Sequence, residues 1–354
     1  MVLRKLLDMP AQRIIKILEI LVQQEGWITI GKLSSMIGAS ERTVMEDVAV
    51  IKRRWGLDLD IEVSTKTGIR MMNQNTAILS KVFMDLFNDS VALRWLEAIF
   101  FYPKENVGFY EAELFVSRST LERLLPKIND TMQDKGITVQ RNRNRYQVVG
   151  ENEQALRNFY ATFLIELYGI DLRKFHIEFD STVLAGMIQK VLKKNIPAGS
   201  PLVNDDIAQM FLMMLYTVSL IRENQGYTMH SDYKLDDDML GEKELHYIKS
   251  CFPNIGFESL RPIHEAVFLR YNGWDSEEER QLLLTESERF LQRICTDLRI
   301  YPQKDILQQL QYVVLAMYLD YKGSPFETSL LFNRIHYFAL SLKRSNSYTY
   351  KAVE

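Results

Sequence analysis

The chain has 354 residues, 47% of them hydrophobic and 25% charged, a balance that excludes wholesale disorder and predicts two or three domains. Its 43 Lys and Arg against 46 Asp and Glu leave a net charge of −3, which excludes a uniformly basic nucleic-acid coat but not a local basic face. Two cysteines, Cys251 and Cys295, make no disulfide framework, and the longest uncharged apolar run, Ile207–Ile221, is shorter than the roughly 20 residues that span a bilayer.

The first ten residues contain no long apolar region and no small-residue cleavage site, so no signal peptide is expected and the protein is read as cytoplasmic, with no membrane partner. Residues 1–150 carry 21 basic against 18 acidic side chains, and the remaining 204 residues are net −6. A mildly basic front and an acidic rear suggest different partners for the two halves.

Along the front, Ile14, Ile17, Leu18 and Leu21 follow helical spacing, and Gly26 ends that segment. Thr29 can cap a short second helix with Ile30, Leu33 and Ile37 on its apolar face, and Gly38-Ala39 makes a tight turn. Ser40 then stands as the N-cap of a third helix, with Val44, Val48 and Ile51 facing inward and Arg42, Thr43 and Glu46 outward. Gly56 ends it, and two strand-like runs, Asp60–Ser64 and Gly68–Met72, flank Lys66 at a hairpin tip. Three helices and a hairpin make a winged helix-turn-helix, whose third helix enters the major groove amino end first.

The pattern recurs. Val91–Phe101 is an amphipathic helix containing Trp95, and Gly108–Phe115 is a short second helix. Val116-Ser117-Arg118-Ser119-Thr120-Leu121 then matches Ala39–Val44 as small or apolar, Ser, two variable residues, Thr, aliphatic, 77 residues further on. Pro126 is expected to kink or end this third helix, because it lacks the backbone N–H. A second hairpin follows, Ile137–Val149, with Arg141, Arg143 and Arg145 alternating with asparagine at its tip. Such a tip suits phosphate or a narrow minor groove. One Ser-capped amphipathic helix is commonplace, but two copies, each preceded by a helix pair and followed by a hairpin, point to duplex DNA. The contacts expected are Ser40, Arg42, Thr43, Lys52, Arg53 and Lys66 in the first module, and Ser117, Arg118, Ser119, Thr120, Arg123, Arg141, Arg143 and Arg145 in the second. Thr and Ser suit phosphate or base edges, and Arg suits guanine in the groove.

From these residues the chain resembles the Mga/AtxA-like family of transcriptional regulators over nearly its whole length. Ile28–Ser35 with Ser40–Val44 is similar to the family's first helix-turn-helix. Val116–Leu121, then Val148–Glu153 and Arg157-Asn158-Phe159-Tyr160, is similar to its second. The resemblance implies promoter DNA as partner and a homodimer formed through residues beyond 195. It also implies regulatory domains of the PRD type, which phosphocarrier proteins of the sugar phosphotransferase system modify on histidine. The family's usual further domain, similar to an EIIB component, does not fit within the residues up to Glu354.

Beyond residue 155, helical apolar patterns dominate, clearest in Ile207–Glu223 and Asp305–Tyr321, with loops at Lys194–Asn204, Gly226–Gly241 and Asn272–Glu277. Met210, Met213 and Met214 read as core packing. The histidines are His176, His230, His246, His264 and His336; the resemblance implies phosphorylated histidines inside the helices at Ile207–Arg222 and His264–Asn272, the first of which has none, and His264, at the start of the second rather than mid-helix, is the candidate. No P-loop, zincin, nucleophile-elbow or C-x-x-C motif is present, His230 and Asp232 lack a third ligand, and Asp236–Asp238 reads as a solvated loop. A non-enzyme without cofactor or metal is expected. The expected fold is mainly α. Residues 1–72 form a first winged helix-turn-helix with a small β-hairpin wing, and 73–154 a second. A helical connector covers 155–194, and two helical-bundle PRD-like domains cover 195–280 and 281–354. The alternatives are an RNA-binding regulator of the antiterminator type and a protein–protein adaptor built on winged folds.

Overall fold

A computed structural model describes residues 2–24, 26–72, 76–169, 180–195, 206–229, 242–256, 258–260, 263, 276–323, 330–331 and 343. The front opens with a 3-10 turn, Val2–Leu6, and then α1 (Met9–Gln23), α2 (Ile30–Ile37) and α3 (Glu41–Trp55). Each helix starts on a side-chain cap: Asp8 accepts from the Ala11 N–H, Thr29 from Lys32 and Ser40 from Thr43, which satisfies one orphan donor at each amino end. Leu18, Leu33, Val44 and Ile51 are fully buried between them. Asp47, an acidic residue on the inward side of α3, is almost as buried, and Arg13 of α1 holds it with Nε at 2.7 Å and Nη2 at 3.1 Å.

The wing, β1 (Ile61–Ser64) and β2 (Gly68–Met71), is an antiparallel hairpin in the register Ile61 with Met71 through Ser64 with Gly68. Ile28, just before α2, adds a one-residue bridge to β2: its N–H donates to the Ile69 carbonyl at 2.9 Å, and its carbonyl accepts from Ile69 at 2.8 Å. Glycine is required at 68, where φ is 104° and a Cβ would lie 2.0 Å from the Ile28 carbonyl oxygen.

A helix absent from the expected elements, α4 (Thr76–Asn88), leads into the second module. The spacing of Leu79, Val82, Phe83, Leu86 and Phe87, all buried, carries its signal. The second module then repeats the first: α5 (Val91–Phe101), α6 (Val107–Leu114), α7 (Arg118–Met132), β3 (Ile137–Asn142) and β4 (Arg145–Gly150). Residues before α6 again pair with the wing's second strand, the Lys104 N–H donating to the Tyr146 carbonyl at 2.8 Å and the Tyr146 N–H to the Glu105 carbonyl at 3.3 Å. Trp95, Tyr110 and Tyr146 form a buried edge-to-face cluster, with the Trp95 ring 5.2 Å from Tyr146 and 6.5 Å from Tyr110.

Of the two outcomes expected from its missing N–H, a kink or an end, Pro126 does not end α7; the helix runs on to Met132. Leu121 on one side of the proline and Ile128 and Met132 on the other are fully buried, while Pro126 itself is exposed. Tertiary packing on both flanks thus holds the backbone through a residue that would break an isolated helix.

Behind the second wing, α8 (Glu153–Tyr168) is buried at every residue from Leu156 to Leu167 and packs against α4, β4 and α10 (Asp206–Asn224). The rear also contains α9 (Ser181–Asn195), α11 (Glu242–Cys251), α12 (Glu277–Leu298) and α13 (Lys304–Gly323). The chain is therefore mainly helical, with a two-stranded hairpin in each front module. No described helix is long and apolar enough to cross a membrane. His176, His230, His264 and His336 lie outside the described residues, and His246 is exposed on α11.

Candidate nucleic-acid interface

The two third helices, α3 and α7, present similar amino ends. At α3 the Ser40 hydroxyl accepts from the Thr43 N–H at 3.1 Å and shares a 2.8 Å hydrogen bond with the Thr43 hydroxyl. At α7 the Ser117 hydroxyl bonds the hydroxyls of Ser119 at 2.8 Å and Thr120 at 3.1 Å. It makes no capping bond to the backbone. That task falls to Glu111 of α6, whose carboxylate accepts the Arg118 N–H at 2.6 Å. A carboxylate at this position also complements the positive end of α7.

The arginines at these ends are ion-paired within their own helices. Arg42 Nε lies 3.0 Å from Glu46, and both side chains are largely exposed. Arg118 Nε lies 2.9 Å from Glu122. The Arg118 hydrogen bond lowers the Glu122 pKa from its ordinary value and raises that of Arg118. Exposed i,i+4 pairs of this kind are weak and exchange readily for a stronger anion. Lys52 and Arg53 are exposed on the last turn of α3, and Lys66 is exposed at the first wing tip.

At the second wing the three tip arginines separate into two roles. Arg141 folds back on the protein: Nε donates to the Arg143 carbonyl at 2.9 Å, Nη2 to Asn144 Oδ1 at 3.2 Å and Nη1 to Glu122 at 3.4 Å. It braces the tip against α7. Arg143 and Arg145 are exposed and have no ion-pair partner among the described residues. Arg143 makes the two-residue turn with φ at 57°, a left-handed conformation unusual for a long side chain. Arg123 is exposed on α7, also without an ion-pair partner among the described residues.

The structure thus gathers Arg118, Ser119, Arg123, Arg143 and Arg145 on the exposed part of one module, and Ser40, Arg42, Thr43 and Lys66 on the corresponding parts of the other. Sequence reading missed Glu111, Glu122 and Asn144, which cap, pair and brace the basic groups. The i,i+4 spacing signals Glu122; nothing local signals Glu111, which meets α7 only through the fold.

Residues 75–164 match the Mga helix-turn-helix domain family. A Streptococcus pneumoniae protein named as a trans-acting regulator is 26% identical over 246 residues, which cover 70% of this chain and 47% of that protein. A capsule synthesis positive regulator of Bacillus anthracis is 22% identical over 130 residues, covering 37% of this chain and 27% of that protein. The matched regions span less than half the length of either relative. The match begins in the residues before α4, takes in the whole second winged module and ends within α8. The second winged module thus matches the Mga helix-turn-helix domain family, and the chain is similar to proteins named as transcriptional regulators of the Mga/AtxA-like kind.

Proposed function

We propose that this protein binds duplex DNA through both winged modules and regulates transcription, without catalysis, in the cytoplasm. The observation that carries this reading is the second module. There an Mga helix-turn-helix domain presents Arg118, Ser119 and Arg123 on its third helix and Arg143 and Arg145 on its wing, all exposed. On this reading α7, and by analogy α3, would enter grooves and the wings would meet phosphate. Arg141 braces the wing, and a DNA contact from it would require it to release Glu122 and Asn144.

The finer parts of the reading rest on the resemblance and on the relatives' names. They are dimerisation through residues beyond 195, promoter sequences as the targets, and control by phosphotransferase-system phosphocarriers with His264 as acceptor. Two acidic, helical regulatory domains behind the DNA modules would suit that control, because a phosphate changes local charge by about −1.5 to −2.

The test is duplex binding across a salt series, comparing the wild type with a variant carrying Arg118, Arg123, Arg143 and Arg145 as alanine. The slope of log affinity against log salt is expected to shrink by roughly 0.9 for each phosphate the variant leaves unneutralised. An unchanged slope would move the interface to the first module, and no duplex binding by either protein would overturn the reading.

A further inference from the structure

Between the two winged modules lies a cavity of about 540 Å³. Ile14 of α1 and Val50 of α3 line it from the first module, and Leu86 of α4, Val91 of α5 and Leu124 of α7 from the other side. Aliphatic walls in a space of this size fit a small organic molecule.

The charges around it are not balanced locally. Asp8 is occupied as the cap of α1, and Asp89 is paired with Arg54. Arg123 also lines the cavity and has no ion-pair partner among the described residues. Lys127, four residues on, reaches the Leu7 carbonyl at 3.4 Å and no carboxylate among the described residues. Side chains spaced i,i+4 share one strip of a helix, so these two cations border the apolar space together. The amino ends of α1 and α5 border it as well, and helix amino ends favour negative charge.

We propose that this inter-module cavity binds an organic anion with an apolar body, its carboxylate or phosphate head held by Arg123 and Lys127 and its hydrocarbon part laid against the aliphatic walls. The site stands on this geometry alone. A consequence rests on the DNA reading above: an occupant that engages Arg123 withdraws one cation from the exposed face of α7 and lowers duplex affinity.

The experiment is calorimetric titration of the full chain with decanoate, with decan-1-ol as its uncharged counterpart and inorganic phosphate as a head group alone. Decanoate is expected to bind, with decan-1-ol and phosphate each weaker by about tenfold or more. The double variant Arg123→Ala/Lys127→Ala changes exposed side chains and leaves the core intact; its decanoate affinity is expected to fall about tenfold. Ala11→Trp, which fills the cavity from α1, is expected to abolish binding. No decanoate binding by the wild type, equal binding of decanoate and decan-1-ol, or wild-type affinity in the double variant would each overturn the site. Decanoate binding with unaltered duplex affinity would overturn the linkage. Failure to bind duplex at any salt would leave the test of the cavity intact, because calorimetry reads decanoate binding without DNA.

Discussion

Glu122 is a carboxylate on the face of α7 that carries the basic groups. Its Oε1 receives Arg118 at 2.9 Å and Arg141 at 3.4 Å, so it neutralises the recognition helix while positioning the wing. Like any carboxylate it is ionised in the neutral range, and its pKa, lowered by the Arg118 hydrogen bond, keeps the pairing until pH falls below the ordinary carboxylate value. Glu122→Gln removes a charge that repels phosphate and frees Arg118. Duplex affinity at low salt is expected to rise roughly threefold, read by fluorescence anisotropy; an unchanged affinity would place α7 away from DNA, and a lower one would show that the hold of Glu122 on Arg141 and the wing outweighs its charge. Tyr146 poses the opposite case. Its ring is buried against Trp95, but its hydroxyl has no hydrogen-bond partner among the described residues. Because an unsatisfied buried hydroxyl is a cost and not a gain, Tyr146→Phe is expected to keep or raise stability, by up to about 1 kcal/mol. A lowered melting temperature would show that the hydroxyl has a partner.

At the scale of elements, the turn between the second and third helices shows how one topology is built from two chemistries. Gly38 closes α2 with φ at 79°, the left-handed conformation that glycine adopts freely. In the second module the corresponding position, 77 residues on, is Phe115 with φ at 56° and 90% exposure. A bulky side chain in this conformation is strained, and here its exposure provides no burial to offset the strain. Phe115→Gly is accordingly expected to raise stability by roughly 0.5–1 kcal/mol, the relief exceeding the added freedom of the unfolded chain; a lower melting temperature would sink this account. The same turn marks what could be read from sequence. Both third helices announce themselves through Ser40 and Ser117 and the apolar spacing after them. The strand pairing of Ile28 with Ile69 does not, because a one-residue bridge has no periodicity. Continuation of α7 through Pro126 is illegible too: local propensity argues against it, and the buried flanks that override propensity exist only in the folded chain. Arg141 reads in sequence as equivalent to Arg143 and Arg145, because an alternating run does not reveal which side chain turns back.

At the scale of the whole molecule, an ionic cluster joins α8, behind the second winged module, to α10 of the rear half. Arg157 of α8, fully buried, donates to Glu223 of α10 at 3.1 Å and to the Tyr227 carbonyl at 2.6 Å. Glu153 receives both Arg157, at 3.1 Å, and a bidentate Arg222, at 2.7 and 2.8 Å. The Arg222 guanidinium also stacks 3.6 Å from the Tyr227 ring, which Lys104 of the second module approaches from 4.8 Å. The cluster thus links α10 to the base of the second wing through α8, which packs on β4. Of the two charge pairs, Arg157–Glu223 is fully buried and Arg222–Glu153 partly so; a buried pair is expensive to separate but not intrinsically stabilising, because desolvation opposes its attraction. Arg157→Ala leaves Glu223 buried without its partner and is expected to cost about 3–5 kcal/mol. Arg157→Leu combined with Glu223→Leu removes both charges and is expected to recover most of that loss. If the cluster couples the halves, the double variant will retain duplex binding while losing any response of that binding to changes in the rear. Equal destabilisation by the single and double variants would show that packing volume, and not charge pairing, holds this joint.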